Sequence, residues 1–240
     1  MLIQACLNGA RPHAFHPALP LDPAAMTREA LACVAAGAGA LHLHPRDDAG
    51  QESLSADAVD AALSALRAVL PGTPIGISTG EWIENDQQRT LDAIAGWRML
   101  PDYCSVNFSE SDAPAVFEAL HARGIGIEVG LADETDAERF LSLDLAPRTL
   151  RILVEIDQRG IEKASATADA ILILTSRLGC PRLLHGFDET VWPLARKAIA
   201  AGLSVRVGLE DGNRLPNGRI ARDNADMVAA VHAMLDARPR

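Results

Sequence analysis

A chain of 240 residues, 48% hydrophobic and 22% charged, is long enough for a substantial core and carries no signature of disorder. Its formal net charge of −10 argues against nucleic acid and against anionic membrane surfaces, both of which are bound through clustered Lys and Arg. Lys163 and Lys197 are its two lysines, so Schiff-base chemistry has few candidates.

Short apolar runs alternate with amphipathic stretches. Leu2–Leu7 reads as a first strand, followed by a Pro-rich loop from Arg11 to Pro20. Asp22-Pro23 has the form of an N-cap with Pro at the first helical position, opening a helix to about Ala36 that Gly37 and Gly39 end. The second strand is Ala40–His44; Ser55 then caps a helix to Leu70, which Pro71-Gly72 stops. Pro74–Ser78 is the third strand, followed by a helix around Asp86–Trp97; Tyr103–Phe108 is the fourth, followed by a helix from about Asp112 to Ala122. Ile125–Val129 precedes a helix over Asp133–Leu141, and Leu150–Ile156 precedes one over Lys163–Leu178. Arg182–Phe187 and Ser204–Leu209 are the last strands, and a final helix covers about Asp223–Leu235. Eight strands alternating with helices of this size predict a (β/α)8 TIM barrel with parallel strands, one domain over residues 1–240, with a doubly wound open sheet as the runner-up.

The four cysteines, Cys6, Cys33, Cys104 and Cys180, form no Cys-x-x-Cys and read as free thiols of a reducing compartment. No basic segment with a signal-type apolar run opens the chain, and no apolar run reaches the ~18 residues of a membrane span. A soluble, cytoplasmic protein with neither membrane nor nucleic-acid partner is expected.

Side chains two apart in a strand share a face, so His42 and His44 point one way and Leu41 and Leu43 the other. In the eighth strand Arg206, Gly208 and Glu210 share a face opposite Val205, Val207 and Leu209. In a closed barrel the first and eighth strands are neighbours, which brings Glu210 within reach of His42 and His44. Two imidazoles and a carboxylate are a usual three-ligand set for a catalytic zinc that keeps a position open for substrate. For the His-x-His alone, a solvated edge-strand alternation is the commoner explanation; the convergence of polar strand ends argues for a site. Ser78-Thr79-Gly80, Asn107, Glu128, His185 and Glu210-Asp211 all fall at C-terminal strand ends, where barrel enzymes carry their chemistry. Gly208 and Gly212 point to close approach of backbone or ligand around Glu210 and Asp211. Arg206 has a structural alternative, pairing with Glu128 inside the barrel, and Asn107 either holds a substrate carbonyl or caps the next helix.

The segments His42-Leu43-His44-Pro45-Arg46-Asp47, Ser78-Thr79-Gly80 and Arg206-Val207-Gly208-Leu209-Glu210-Asp211 also resemble the signatures of the β-keto acid cleavage enzymes. Asn8-Gly9-Ala10, the stretch from His16 to Pro20, and Glu128-Val129-Gly130 extend the resemblance over nearly the whole chain. It implies a zinc-containing barrel, usually tetrameric, in which a β-keto acid and acetyl-CoA give acetoacetate and the CoA ester of the shortened acid. By position it implies zinc on His42, His44 and Glu210, Asp211 as base supported by Arg206, and Ser78 and Glu128 against the reacting groups; Thr79 and Asn107, at the same mouth, are the further candidates for substrate contact. Arg11 stands where the amino-substrate type has an acidic residue, so an anionic or neutral keto acid is expected over a cationic one. Another metal-dependent barrel enzyme acting without CoA, such as an aldolase or hydrolase, and a non-catalytic metabolite-binding barrel are the competing classes.

Overall fold

The structure, a computed structural model, describes residues 1–237. Among them eight parallel strands close into a barrel in chain order: β1 (Ile3–Cys6), β2 (Ala40–Leu43), β3 (Ile75–Ser78), β4 (Tyr103–Asn107), β5 (Gly126–Leu131), β6 (Arg151–Ile156), β7 (Arg182–Gly186) and β8 (Ser204–Val207). The helices around them are α1 (Pro23–Ala35), α2 (Ala56–Val69), α3 (Glu81–Glu84), α4 (Gln87–Gly96), α5 (Ala113–Ala122), α6 (Glu134–Ser142), α7 (Ile161–Leu174), α8 (Val191–Ala200) and α9 (Asn224–Asp236). The expected single-domain TIM barrel is therefore the fold. No described helix is long and apolar enough to cross a membrane.

The helix starts follow their caps. Asp22 accepts from Ala25 N at 2.8 Å with Pro23 next, and Ser55 accepts from Ala58 N at 3.3 Å, as their residue types dictate. Asp86, Asp133 and Asp223 cap α4, α6 and α9 in the same way. Two helices lie outside the sequence reading: the ten-residue α8, between strands seven and eight, and the four-residue α3. Strand eight ends at Val207 rather than Leu209, because Asp211 N and Gly212 N both turn back to Gly208 O, at 3.0 and 3.1 Å.

Outward strand residues such as Leu41, Leu43, Val205 and Val207 are fully buried in the apolar layer beneath the helices. Each such burial contributes about 1.5–3 kcal/mol. The inward positions are instead largely polar. Gln4 Nε2 donates to Tyr103 Oη at 2.8 Å and to Glu128 Oε2 at 3.0 Å, Tyr103 Oη donates to Leu41 O at 2.6 Å, and Arg151 pairs with Glu128. These four make a floor across the barrel. Gly76 is needed beside it, since a Cβ there would meet the Tyr103 ring at 2.1 Å.

The barrel closes between β1 and β8, with Gln4 opposite Arg206. At Gly208 a Cβ would stand 1.9 Å from the Cys6 carbonyl oxygen, so the close approach expected there is to backbone; at Gly212 the nearest contact is an ordinary 3.4 Å, and no crowding explains that glycine. Gly208→Ala should therefore lower stability by about 1–3 kcal/mol, as overpacking does, which is ~2–4 °C in Tm per kcal/mol for a chain of this size. Thermal melting checks this against Gly212→Ala, which is expected to stay within about 0.5 kcal/mol; equal melting of both variants would refute the contact.

Candidate metal centre and active site

β2 delivers His42 on its inward face and His44 just past its end, and the turn after β8 delivers Glu210. All three are buried, and their ligand atoms lie within 4.8 Å of one another. His44 Nε2 is 3.4 Å from Glu210 Oε1, and His42 Nε2 is 4.0 Å from Glu210 Oε2. The centre is held by local bonding. Asn8 accepts from His44 N at 2.9 Å and donates to His44 O at 3.0 Å, fixing the backbone at the end of β2. Gly9, with φ 55°, lies so close to Glu210 that a Cβ would meet its Cγ at 2.3 Å.

The loop after β2 folds back as a small hairpin. Asp47 Oδ1 accepts from Ala49 N and Gln51 N at 2.9 Å, Gly50 takes φ 76°, and Arg46 pairs with Glu52 across the turn. Glu52 is thereby placed 2.5 Å from His44 Nδ1. With Nδ1 held by a carboxylate, Nε2 is the nitrogen left to a metal ion, and it faces Glu210. Trp82 on α3 donates to the same carboxylate at 3.2 Å and stacks on His44 with ring centroids 6.3 Å apart.

The electrostatics follow from burial against charge. Burial pulls both imidazoles down. His42 stays well below the ordinary histidine range, while Glu210 and Glu52 lift His44 to about 9. Burial would raise Glu210, but Arg206, His44 and His42 hold it well below the usual carboxylate range. Among the described residues, Glu210 Oε2 and His42 Nδ1 are buried without a hydrogen-bond partner. An orphaned oxygen facing an imidazole nitrogen, with a second imidazole oriented by a carboxylate, fits a metal ion with His42, His44 and Glu210 as ligands.

Arg206, buried inside the barrel, bonds to Glu210 and reaches Asp211 Oδ1 at 3.3 Å and Glu155 Oε2 at 3.6 Å; it does not pair with Glu128, which belongs to the floor. Asp211 is fully buried, with Oδ2 unpartnered among the described residues. His185 stands between two carboxylates, with Nδ1 3.4 Å from Asp211 and Nε2 3.0 Å from Glu155. A cavity of about 320 Å³ opens over this assembly, lined by both ligand histidines, Glu210, Arg206, Glu155 and Ser78 among others. Asn107 also lines it but donates to Glu110 at 3.1 Å. Arg11 reaches the rim, where Nε donates to Glu210 O at 2.9 Å, Nη2 to Asp188 at 3.0 Å, and the guanidinium lies 4.3 Å over the Phe15 ring. Thr79 turns away, donating to Ser105 O at 2.8 Å, and Glu128 lies beneath in the floor. His16 is a structural histidine that bridges Ala18 N and Ala221 O.

Glu52, Trp82 and Glu155 are missing from the sequence reading. Glu155 left a signal: it interrupts the apolar run that follows Arg151 in β6, at the same inward parity as that arginine. The Asp-Asp-Ala-Gly turn signals the hairpin that returns Glu52, but not what that residue touches.

With this geometry in place, the comparison with known proteins is direct. The family described as beta-keto acid cleavage enzyme matches residues 1–240. The chain belongs to that family. Curated relatives of this β-keto acid cleavage enzyme family member include the 3-keto-5-aminohexanoate cleavage enzymes of Fusobacterium nucleatum subsp. nucleatum and Acetoanaerobium sticklandii. Each is 24% identical over 249 residues, spanning 96% of this chain and 89% and 90% of theirs. Among solved structures, ObcA in ternary complex with a C4-CoA adduct and oxalate has a TM-score of 0.75 at 20% identity. ObcA in binary complex with oxaloacetate has a TM-score of 0.72, also at 20% identity. Both matches cover 92% of this chain but 64% of the ObcA chain, so the present protein spans less than two thirds of that molecule. At that identity the likeness speaks for the barrel.

Glu52→Gln tests the support of His44. Losing the charge that orients Nδ1 should weaken metal affinity ~10–100-fold, measured by competition with a chromophoric chelator. Unchanged affinity would mean that Glu52 does not support the ligand.

Proposed function

We propose that this protein is a zinc-dependent β-keto acid cleavage enzyme that condenses a β-keto acid with acetyl-CoA, giving acetoacetate and the CoA ester of the shortened acid. The observation that carries this reading is the convergence of His42, His44, Glu210 and Arg206 at one cavity, with Asp211 buried directly behind Arg206, in a chain of that family. The description of ObcA with a C4-CoA adduct supports a CoA thioester as the second substrate. Zinc held by His42, His44 and Glu210 would supply a Lewis acid for the oxygens of the keto acid.

The protein's own groups divide the remaining work. Asp211 is the base for the proton on the carbon between the two carbonyls. Its Oδ2 has no partner among the described residues, and Arg206 fixes its other oxygen. His185 and Glu155 connect that buried carboxylate to the cavity and give the proton a route. Arg206 stabilises the negative charge that develops on the substrate as the proton leaves. Ser78 Oγ accepts from Gly80 N at 3.2 Å, which leaves its O–H for a substrate oxygen. Glu128 and Thr79 support the site from below and beside it.

Metal analysis of the purified protein should find about one zinc per chain, lost in His42→Ala and in His44→Ala. A panel of β-keto acids, a dicarboxylate, a neutral acid and an amino analogue, is then read by mass spectrometry with and without acetyl-CoA. The amino analogue is expected to be poorest, because Arg11 at the rim repels an ammonium. Cleavage independent of acetyl-CoA would make the protein a lyase of the aldolase kind, and absence of both metal and turnover would make it a metabolite-binding barrel.

Asp211→Asn should keep metal and fold yet lose deuterium exchange at the substrate's central carbon by ~10²–10⁴-fold. Retained exchange in that variant, with loss in Glu155→Gln, would transfer the base to Glu155, which already lines the cavity.

A further inference from the structure

Beside the active site, on the other flank of Trp82, lies a second cavity of about 520 Å³ lined by Glu81, Asn85, Ser109, Glu110 and Asp112 among others. Glu81 is the first residue of α3; Glu110 and Asp112 come from the loop between β4 and α5. Their carboxylates offer oxygens that all lie within 4.8 Å of one another. Glu110 and Asp112 are each 7% exposed. Asp112 precedes α5, yet among the described residues its side chain makes no cap bond, and its Oδ1 is buried without a hydrogen-bond partner. The carboxylate lines the cavity and offers an oxygen to the cluster, leaving uncapped the helix that it precedes.

Charge compensation is missing as well. Among the described residues, no Lys or Arg lines this cavity. Arg139 reaches the same loop, but its guanidinium is taken up by the carbonyls of Phe108, Glu110 and Ser111. The contact to Glu110 from Asn107 is a neutral amide at 3.1 Å. Burial, aided by the charges of Glu81 and Asp112 and only partly offset by hydrogen bonds from the Glu81 backbone N–H and from Asn107, pushes Glu110 up to about 7. Crowded, partly desolvated carboxylates without a counter-ion are costly.

We propose that Glu81, Glu110 and Asp112 form a second cation site, which takes a hard divalent ion of the Ca²⁺ or Mg²⁺ class. The donor set consists of carboxylate oxygens without imidazole or thiolate, which favours Ca²⁺, Mg²⁺ or Mn²⁺ and sets it apart from the His42, His44, Glu210 centre. Its structural consequence runs through α3. The ion ties Glu81 to the loop after β4, and the next residue, Trp82, bonds to Glu52 and stacks on His44. Occupancy thereby fixes the indole beside the first centre.

The test titrates the full chain with Ca²⁺, Mg²⁺ and Mn²⁺ at pH 7.5 by calorimetry, with electron paramagnetic resonance for Mn²⁺. The His42→Ala/His44→Ala double variant isolates the second site. About one ion per chain should bind, with Kd of ~10⁻⁴–10⁻³ M, and the double variant should retain it. Glu81→Gln, at an exposed position where loss of the fold is not at issue, and Asp112→Asn should each weaken binding at least ~tenfold. Ca²⁺ should also change the intrinsic fluorescence of wild type, and Trp82→Phe should remove that change. No saturable binding up to ~10 mM, an order above that range, overturns the proposal, as does undiminished affinity in Glu81→Gln and Asp112→Asn, or binding that disappears with the two histidines.

Discussion

Arg206 carries a permanent positive charge into the interior of the barrel, and the arrangement of the site depends on how that charge is met. Removing a guanidinium from water costs several kcal/mol, which only close, well-directed anions offset. Here Glu210, Asp211 and Glu155 supply them. The dependence is mutual, because burial alone would push Glu210 and Glu155 toward the neutral acid. Arg206 is the largest influence opposing burial at Glu210, ahead of His44 and His42. A ligand carboxylate stays ionised and a neighbouring one keeps its direction because one fixed cation stands behind both.

A second charged layer lies beneath the first. Glu128 and Arg151 neutralise each other, with Gln4 and Tyr103 completing the hydrogen bonds, so the floor is self-contained. This explains why Arg206 is not drawn down to Glu128, although both point inward. A self-contained floor and a separate charged layer above it replace the branched aliphatic filling common in such barrels. Each inward polar residue then has a height as well as a direction, and height decides which of them can meet a ligand at the mouth.

Much of this was legible in the amino-acid sequence, because two periodicities carry it. The alternation through His42 and His44, and through Arg206, gave direction; the succession of strands and helices gave closure, and closure brought Glu210 across β1 to the histidines. Asp22 and Ser55 announced their helices through side chains that compete for backbone N–H. What stayed hidden depends on contacts across unrelated segments. Glu52 reaches His44 only because a tight turn reverses the chain. Trp82 sits on a helix too short to show a period. Arg11 reads as a substrate-facing charge, but the partners that hold it at the cavity rim, the carbonyls of Glu210 and Asp211 and the Asp188 carboxylate, could not be named. Which partner a guanidinium finds is a property of the assembled loops, and no local pattern encodes it.

The division of the metal ligands between β2 and the turn after β8 sets an order of events during biosynthesis. His42 and His44 emerge early and can be held by β1 and by Asn8, but Glu210 lies most of the chain's length away and takes its place only when β8 docks against β1. An unfinished chain thus offers only a pair of imidazoles, a weak ligand for any passing ion. Tight capture waits for the last strand to close the cylinder, so the ion rewards complete folding and does not nucleate it.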